Sequence, residues 1–394
     1  MLGVWAHRQA VAARDAGADV RVLALRRPVP PLSLARGLLH VPPALGALGG
    51  WAAGARRSLR PMQLDGLSVT PVAWLGPPRP MSYGSWGYWM APPLAHALDR
   101  LYREWRFDVV HAHNLAPAGH AAARWVSRRP PVDRPGFVVS AHGPDMIHVP
   151  VRSSIGRRAC VVAMAAADVV IANSAWAARR CEEIAGRSLP LRVVHLGADL
   201  VSVSPLSNGT VRMVTVAHLV ARKRHEVVLR ALAMMDPARR PEYLVIGDGP
   251  RREGLERLAL ELGVADSVRF VGQLPNSEAV ARAAACDVFV MPGVEEPFGV
   301  AFVEAMAAGL PAIGSRGEGG PEDIAAAGEG MVLVAPDDAG ALAAAISRLL
   351  DDRDELRRLG AAARETVAAN FTWERSGSET VAAYRAALES RAAR

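Results

Sequence analysis

Short apolar runs rich in Val and Ile recur along this 394-residue chain, and Ala-, Leu- and Arg-rich stretches with helical character lie between most of them. Six runs fall at 19–25, 67–75, 108–113, 136–142, 168–172 and 192–196. Six more fall at 212–218, 242–247, 267–271, 287–291, 311–314 and 331–334. Helical candidates lie at 251–262 and 339–350, among others. Strands that are apolar throughout need cover on both faces, and intervening helices supply it, so the pattern predicts parallel sheets. Two sets of six predict two doubly wound α/β domains, at 1–197 and 208–370, joined by the Gly-, Ser-, Pro- and Asn-bearing segment 197–210. The tail 371–394 reads as one long helix carrying Trp373 and Tyr384. The first domain opens on a helix-like segment, 4–16, whereas a doubly wound domain normally begins with a strand central to its sheet. Its first strand is therefore expected to be missing, and upstream codons encoding a strand and a Gly-rich loop are expected to raise melting temperature and activity.

Composition removes several function classes. Cys160, Cys181 and Cys286 stand far apart and form no paired motif, which argues against a zinc site or a disulfide framework and for buried thiols in a reducing compartment. The start has no basic-then-apolar leader pattern. The longest uncharged run, 37–55, contains Pro42-Pro43 and Gly49-Gly50, which would break a spanning helix. Residues 1–197 hold 24 Arg and 11 Asp plus Glu, a net charge of +13, while the remaining residues carry −6. That asymmetry points to an anionic partner for the first half. No nucleic-acid recognition motif accompanies the scattered arginines, so nucleic acid is not expected. Lys223 is the only lysine among 46 cationic residues. A compact ammonium does what a planar guanidinium cannot, so its survival in an Arg-rich chain marks the position.

Chemistry concentrates after the run at 287–291. Pro297 cannot sit inside a helix, so Glu296 lies on a loop. Gly299 lets a ligand approach the backbone, and a helix beginning near Val300 points free N–H groups at whatever that loop holds, a geometry that attracts phosphate. Glu304 falls about one turn inside this helix. The stretch Glu295–Pro311, with Glu296 and Glu304 separated by seven residues, resembles the signature of family-4 glycosyltransferases, which have the GT-B fold of two Rossmann-like domains facing across a cleft. The resemblance implies that Glu296 holds the hydroxyls of a donor sugar and Glu304 the ribose of its nucleotide, with Phe298, Gly299 and Val300 lining the donor.

Other blocks extend the resemblance over nearly the whole chain. Thr215–Arg224 is similar to the family's G-R-L-x-x-x-K-G pattern, in which Arg and Lys bind the donor diphosphate. Lys223 matches the lysine, His218 stands where the arginine would be, and Arg224 stands where the glycine would be. Either Arg222 supplies the second cation or His218 binds phosphate; a buried core histidine is the other reading of His218. Gly247-Asp248-Gly249-Pro250 reads mainly as a turn. Ser140–Asp145 resembles T-x-H-G-x-D, which implies that His142 faces the sugar, with Asp145 beside it. His111-Ala112-His113-Asn114 resembles V-H-x-H, putting His113 and Asn114 on the acceptor side. The two histidines are read as alternating along their strand, so that at most one serves the site. His7-Arg8-Gln9 is similar to the residues after the family's first Gly-rich loop. The aromatic stretch 83–90 reads as an acceptor or membrane-interface surface, or as a loop packed on the core.

The resemblance implies a retaining hexosyltransferase that uses a nucleotide-sugar donor, needs no cofactor and no metal, and takes His142, Lys223 and Glu296 as catalytic residues. Asp352-Arg353-Asp354 has the D-x-D spacing of a metal motif but lies on a charged helix. An anionic lipid-linked acceptor is expected, within cell-envelope glycolipid or polysaccharide synthesis. The expected location is the cytoplasm, peripheral on the inner face of the membrane. A sugar-nucleotide-binding module without turnover, or an epimerase of related architecture, is the alternative.

Overall fold

A computed structural model describes residues 4–29, 52–77, 83–202 and 211–393. The run 37–55 lies outside them up to Trp51, as does the linker from Val203 to Thr210. The chain separates into two compact units. The first comprises Met1–Asn173, Ala177–Val194 and Gly377–Arg394; the second comprises Ser174–Trp176 and His195–Ser376.

The first unit holds helix α1 (Val4–Asp15), strands β1 (Arg21–Arg26), β2 (Met62–Leu64) and β3 (Leu67–Ala73), helix α2 (Trp86–Glu104), strand β4 (Val109–His113), helix α3 (His120–Val126), and strands β5 (Gly136–Ala141), β6 (Val169–Ala172) and β7 (Leu191–Val193). These strands form two sheets, β1-β3-β2 and β4-β5-β6-β7. Among the described residues no ladder joins one sheet to the other. β4 to β7 pair in parallel, as do β1 and β3. β2 and β3 form an antiparallel hairpin around Asp65 and Gly66, both at positive φ. Two findings therefore differ from the sequence expectation of six parallel strands in this half. β2 is an extra strand, made by an Asp-Gly turn whose positive φ angles suit a tight hairpin, and the strands are divided between two sheets. The aromatic stretch is a short turn leading into α2, with Met90, Ala91, Leu94, Ala97 and Leu98 as its buried stripe. That apolar stripe sustains the helix although Pro92 and Pro93 lie within it.

The second unit holds β8 (Arg212–Val216), α4 (His225–Ala233), β9 (Glu242–Ile246), β10 (Val268–Gly272), α5 (Asn276–Ala284), β11 (Val288–Met291), α6 (Val300–Ala307), β12 (Ala312–Ser315), α7 (Gly319–Ala327) and β13 (Met331–Val334), with further helices between them. All six strands lie in one parallel sheet of order β10-β9-β8-β11-β12-β13. Successive residues alternate between its two covered faces: Met213, Val245, Val290 and Ile313 pack into one layer, and Val214, Ile246, Phe289 and Ala312 into the other. The chain leaves β8 toward β9 and β10, then returns to β11 and proceeds toward β13. β8 and β11 therefore bound the topological switch point, where open α/β sheets bind ligands at their strands' carboxyl ends. The final helix, α8 (Trp373–Ala392), starts in the second unit and belongs to the first from Gly377 onward. All three cysteines are buried and free. Among the described residues no helix is long and apolar enough to cross a membrane.

Candidate functional site

The carboxyl ends of β8 and β11 carry two loops that are stitched together: the Val294 N–H donates to the Arg222 carbonyl at 2.8 Å. A 3-10 turn, Ala221–Lys223, brings Lys223 inward until only 9% of it is exposed. Its ammonium donates to the Glu296 carboxylate and lies 3.3 Å from Met291 Sδ. Glu296 is 7% exposed and also meets Arg222 Nη1 at 3.3 Å. Burial pulls the Lys223 pKa below the usual lysine range and the Arg222 charge adds to that, while Glu296 pulls the other way. A buried acid needs partners; here two cations satisfy one carboxylate, leaving the cluster with an excess positive charge.

The same loop leads into α6, whose amino end no side chain caps. Gly299 takes φ +83°, and a Cβ there would meet the Phe302 ring at 2.5 Å. The Gly320 N–H donates to the Glu296 carbonyl at 3.0 Å, and a Cβ on Gly320 would collide with Phe298 backbone. Phe298 is buried and stacks on His195, with ring centroids 5.5 Å apart. Glu318 accepts the Glu295 N–H, and burial raises its pKa. Val300 begins the helix, and Glu304, one turn on, accepts from Asn276 Nδ2 at 3.3 Å beside a small cavity lined by Val216, Phe289 and Ala301. Lys223, Arg222, Glu296, Phe298, Gly299, Val300 and Glu304 thus all belong to one corner of the second unit.

His218 is exposed, so the core-histidine reading of it is overturned. Its loop is clamped by the Gly247–Pro250 turn through Leu219 N–H to Asp248 carbonyl at 3.0 Å and Arg251 N–H to Leu219 carbonyl at 3.1 Å.

In the first unit the histidines gather at the carboxyl ends of β4 and β5, where His113 lies opposite Ser140 in register. His111 and His113 are two residues apart on a strand, so they share a face, with rings 4.4 Å apart. The expected alternation is thereby corrected: both belong to the cluster. The Tyr384 hydroxyl lies 2.9 Å from His111 Nδ1 and the Ser140 hydroxyl 2.7 Å from its Nε2. His113 Nδ1 lies 3.3 Å from His142 Nε2, and the two rings are nearly parallel. Asp145 is buried beneath them and accepts the N–H groups of Leu115 at 2.6 Å and His142 at 2.9 Å. Burial lowers the pKa of His111 to about 3 and of His142 to about 4, and takes His113 well below its usual value. It raises that of Asp145 to about 7, against the pull of its backbone donors. The imidazoles are therefore neutral near pH 7 and act as hydrogen-bonding groups. Asn114 closes the strand at φ +76°.

The profile of Glycosyltransferase Family 4 matches residues 2–201, half of the chain, and that of Glycosyl transferases group 1 matches residues 201–366. The chain belongs to glycosyltransferase family 4. D-inositol 3-phosphate glycosyltransferase of Nocardia farcinica is 31% identical over 72% of this chain, and the aligned part spans 62% of that protein. The GDP-mannose-dependent alpha-(1-6)-phosphatidylinositol monomannoside mannosyltransferase of Mycolicibacterium smegmatis is 30% identical over 73% of this chain and 78% of its own length. Among solved structures, sucrose-phosphate synthase from Thermosynechococcus elongatus superposes with a TM-score of 0.74 at 22% identity, covering 97% of this chain and 92% of that one. The fold is that of the GT-B glycosyltransferases, with two Rossmann-like domains.

Against the family pattern, the departure at Arg224 has a structural account. Arg224 adopts φ +52°, ψ +36°, the left-handed conformation that favours glycine. Its guanidinium pairs with Asp337 at 2.8 Å, which fixes a backbone that a side chain otherwise disfavours. Sequence reasoning missed Asn276, Glu318 and Met291, which contact Glu304, the Glu295 backbone and Lys223 in this corner. Only the Gly-rich run around Glu318 offered a local signal.

Proposed function

We infer that this chain is a retaining glycosyltransferase, which moves a hexosyl group from a nucleotide sugar to an acceptor hydroxyl in cell-envelope glycolipid or polysaccharide synthesis. One observation carries the reading: the buried Lys223–Glu296–Arg222 cluster at the switch point, beside the uncapped amino end of α6. Cations and helix N–H groups converging on one place suit a diphosphate, and they act most when negative charge develops on the departing group. Lys223, Arg222 and the α6 amino end neutralise that charge without a divalent metal. Glu296 takes the sugar hydroxyls and Glu304, steadied by Asn276, takes the ribose. His218 is exposed at the mouth of its loop and free to meet an outer phosphate oxygen. On the acceptor side, neutral His142 hydrogen-bonds the reacting sugar, with His113, Asn114 and Asp145 holding it in place.

The names of two relatives support this reading, one as GDP-mannose-dependent and both with a phosphate-bearing inositol group in their titles. Both names suit an anionic acceptor, and the second alone names a lipid; together with it, the +13 charge of residues 1–197 supports a lipid-linked acceptor and a peripheral position on the inner membrane face. The test is mass spectrometry of products from a panel of nucleotide sugars and acceptors, with the anomeric configuration read by NMR. Transfer with retained configuration is expected. Tight donor binding with neither transfer nor hydrolysis would make the chain a binding module, and a free epimeric sugar nucleotide would make it an epimerase.

A further inference from the structure

An arginine-lined cavity lies in the first unit, away from the histidine cluster. A cavity of about 290 Å³, near the lower end of the roughly 300–1,000 Å³ of small-molecule sites, lies between α2 and the carboxyl end of α3. Ala91, Ala95 and Asp99 form its floor along one stripe of α2, and the small side chains leave the space open. Its wall is Arg124, Trp125, Arg128 and Arg129. Asp99 is already occupied: it accepts from Trp125 Nε1 at 2.8 Å and from Arg129 Nη1 at 3.1 Å. Among the described residues no carboxylate pairs with Arg124 or Arg128, and Arg124 Nε is buried without a hydrogen-bond partner. The cavity therefore holds three cations and one anion. The stripe continues to Tyr88, whose ring carries the Arg124 guanidinium at 5.1 Å. Tyr88 is 39% exposed and its neighbour Trp89 is 52% exposed.

We propose that this cavity binds the phosphate of an anionic phospholipid head group, with Arg124 and Arg128 as ligands and Tyr88 and Trp89 at the membrane–water boundary. Guanidinium forks match phosphate oxygens in geometry and charge. Exposed Tyr and Trp beside them favour the interface over bulk water, which selects a lipid-borne phosphate over a free one. The assignment shares with the functional reading only the peripheral membrane position, and it needs no turnover.

The test is co-sedimentation of the full chain with vesicles of phosphatidylcholine alone or mixed with phosphatidylglycerol, alongside titration with inorganic phosphate and glycerol 3-phosphate. Binding should require the anionic lipid and weaken with salt. The double variant Arg124→Gln/Arg128→Gln should lose it by on the order of tenfold or more. Ala95→Leu keeps every charge but fills the cavity, and it should lose binding comparably. Arg187→Gln/Arg192→Gln removes the same charge from exposed positions elsewhere in the first unit and should bind as the unaltered chain does. Each variant is checked for an unchanged melting temperature and nucleotide affinity. Equal losses in both double variants, or full binding by Ala95→Leu, would overturn the assignment in favour of diffuse charge. Binding of the soluble phosphates without vesicle binding would overturn the lipid. Vesicle binding that depends on Arg124, in a chain that transfers no sugar, would leave this assignment standing while the functional reading fell.

Discussion

The second unit runs six strands through one sheet and buries β11 and β12 along their whole length. Among the described residues the first divides seven strands between two sheets and leaves most of β1 and β4 only partly covered, although β5 and β6 are fully buried. Their polar clusters differ in kind as well. In the second unit the corner at the switch point is charged, with a lysine and an arginine on one glutamate. In the first, neutral imidazoles stand over a carboxyl whose pKa has risen to about 7. A charged cluster on a continuous sheet is held by its own ion pairs. A neutral cluster on a partly covered sheet contributes hydrogen bonds and shape.

The contrast breaks most readily at turnover. If Lys223 acts on the departing diphosphate as proposed, Lys223→Ala should reduce the rate of sugar transfer by about 10²–10³ or more, because the lost charge counts mainly in the transition state, and Lys223→Arg should recover little of it. His142→Ala removes a neutral hydrogen bond of about 0.5–1.5 kcal/mol, so its loss should stay near tenfold. Steady-state kinetics on both variants decide the matter, and equal losses would erase the distinction. Binding sharpens it next. Glu304→Ala should weaken the free nucleoside diphosphate by about 1–3 kcal/mol in calorimetry, and Asn276→Ala by less; unchanged affinity in Glu304→Ala removes the ribose assignment.

Local stability should follow burial. Backbone amides of β1 and β4 should exchange with deuterium faster than those of β8 and β11 under native conditions, and the reverse order would show that sheet division carries no stability cost. Acid should separate the units too. The folded His111, His113 and His142 hold fewer protons than unfolded histidine, whose pKa is 6.5, so their stability contribution declines as pH falls from about 6.5 toward 4. Asp145 works oppositely between its ordinary 3.8 and about 7, but it is one group against three. Calorimetry between pH 7 and 4.5 should therefore show the first unit's transition moving down more than the second's, and His142→Gln should flatten that slope. The smallest effect is expected at Arg224→Gly, where relief of a left-handed residue, about 1 kcal/mol, opposes loss of an exposed ion pair worth about 0–1 kcal/mol. A melting temperature shifted by more than a few degrees would mean Asp337 matters more than this.

Much of the second unit was legible because its signals are local. Glu296, Pro297, Gly299 and Glu304 declare a loop and a helix by composition, and a lone lysine in an arginine-rich chain declares itself. The hairpin at Asp65-Gly66 was legible in principle, but a three-residue strand gives too short a run to register as apolar alternation. α2 was hidden by Trp86-Gly87 at its start and Pro92-Pro93 within it, and only its tertiary stripe of Met90, Leu94 and Leu98 sustains it. Pairings between distant segments, such as Asn276 with Glu304 or Tyr384 with His111, leave no trace in spacing. The left-handed backbone at Arg224 has its only sequence trace in the glycine that the family pattern carries at that position, because arginine itself seldom adopts that conformation.

The buried pair of Lys223 and Glu296 has a consequence for selectivity. A carboxylate fixed beside the ammonium is a built-in competitor, present at an effective concentration of at least the order of millimolar. Chloride, orthophosphate and stray metabolite anions must outcompete it on charge alone, and a singly bridging anion gains little by doing so. A diphosphate that arrives with a hydroxyl-rich sugar attached gives the displaced carboxylate a new hydrogen-bonding role on the same molecule. On the reading proposed above, the corner holds a ligand that presents both chemical features together more tightly than one that brings only the diphosphate.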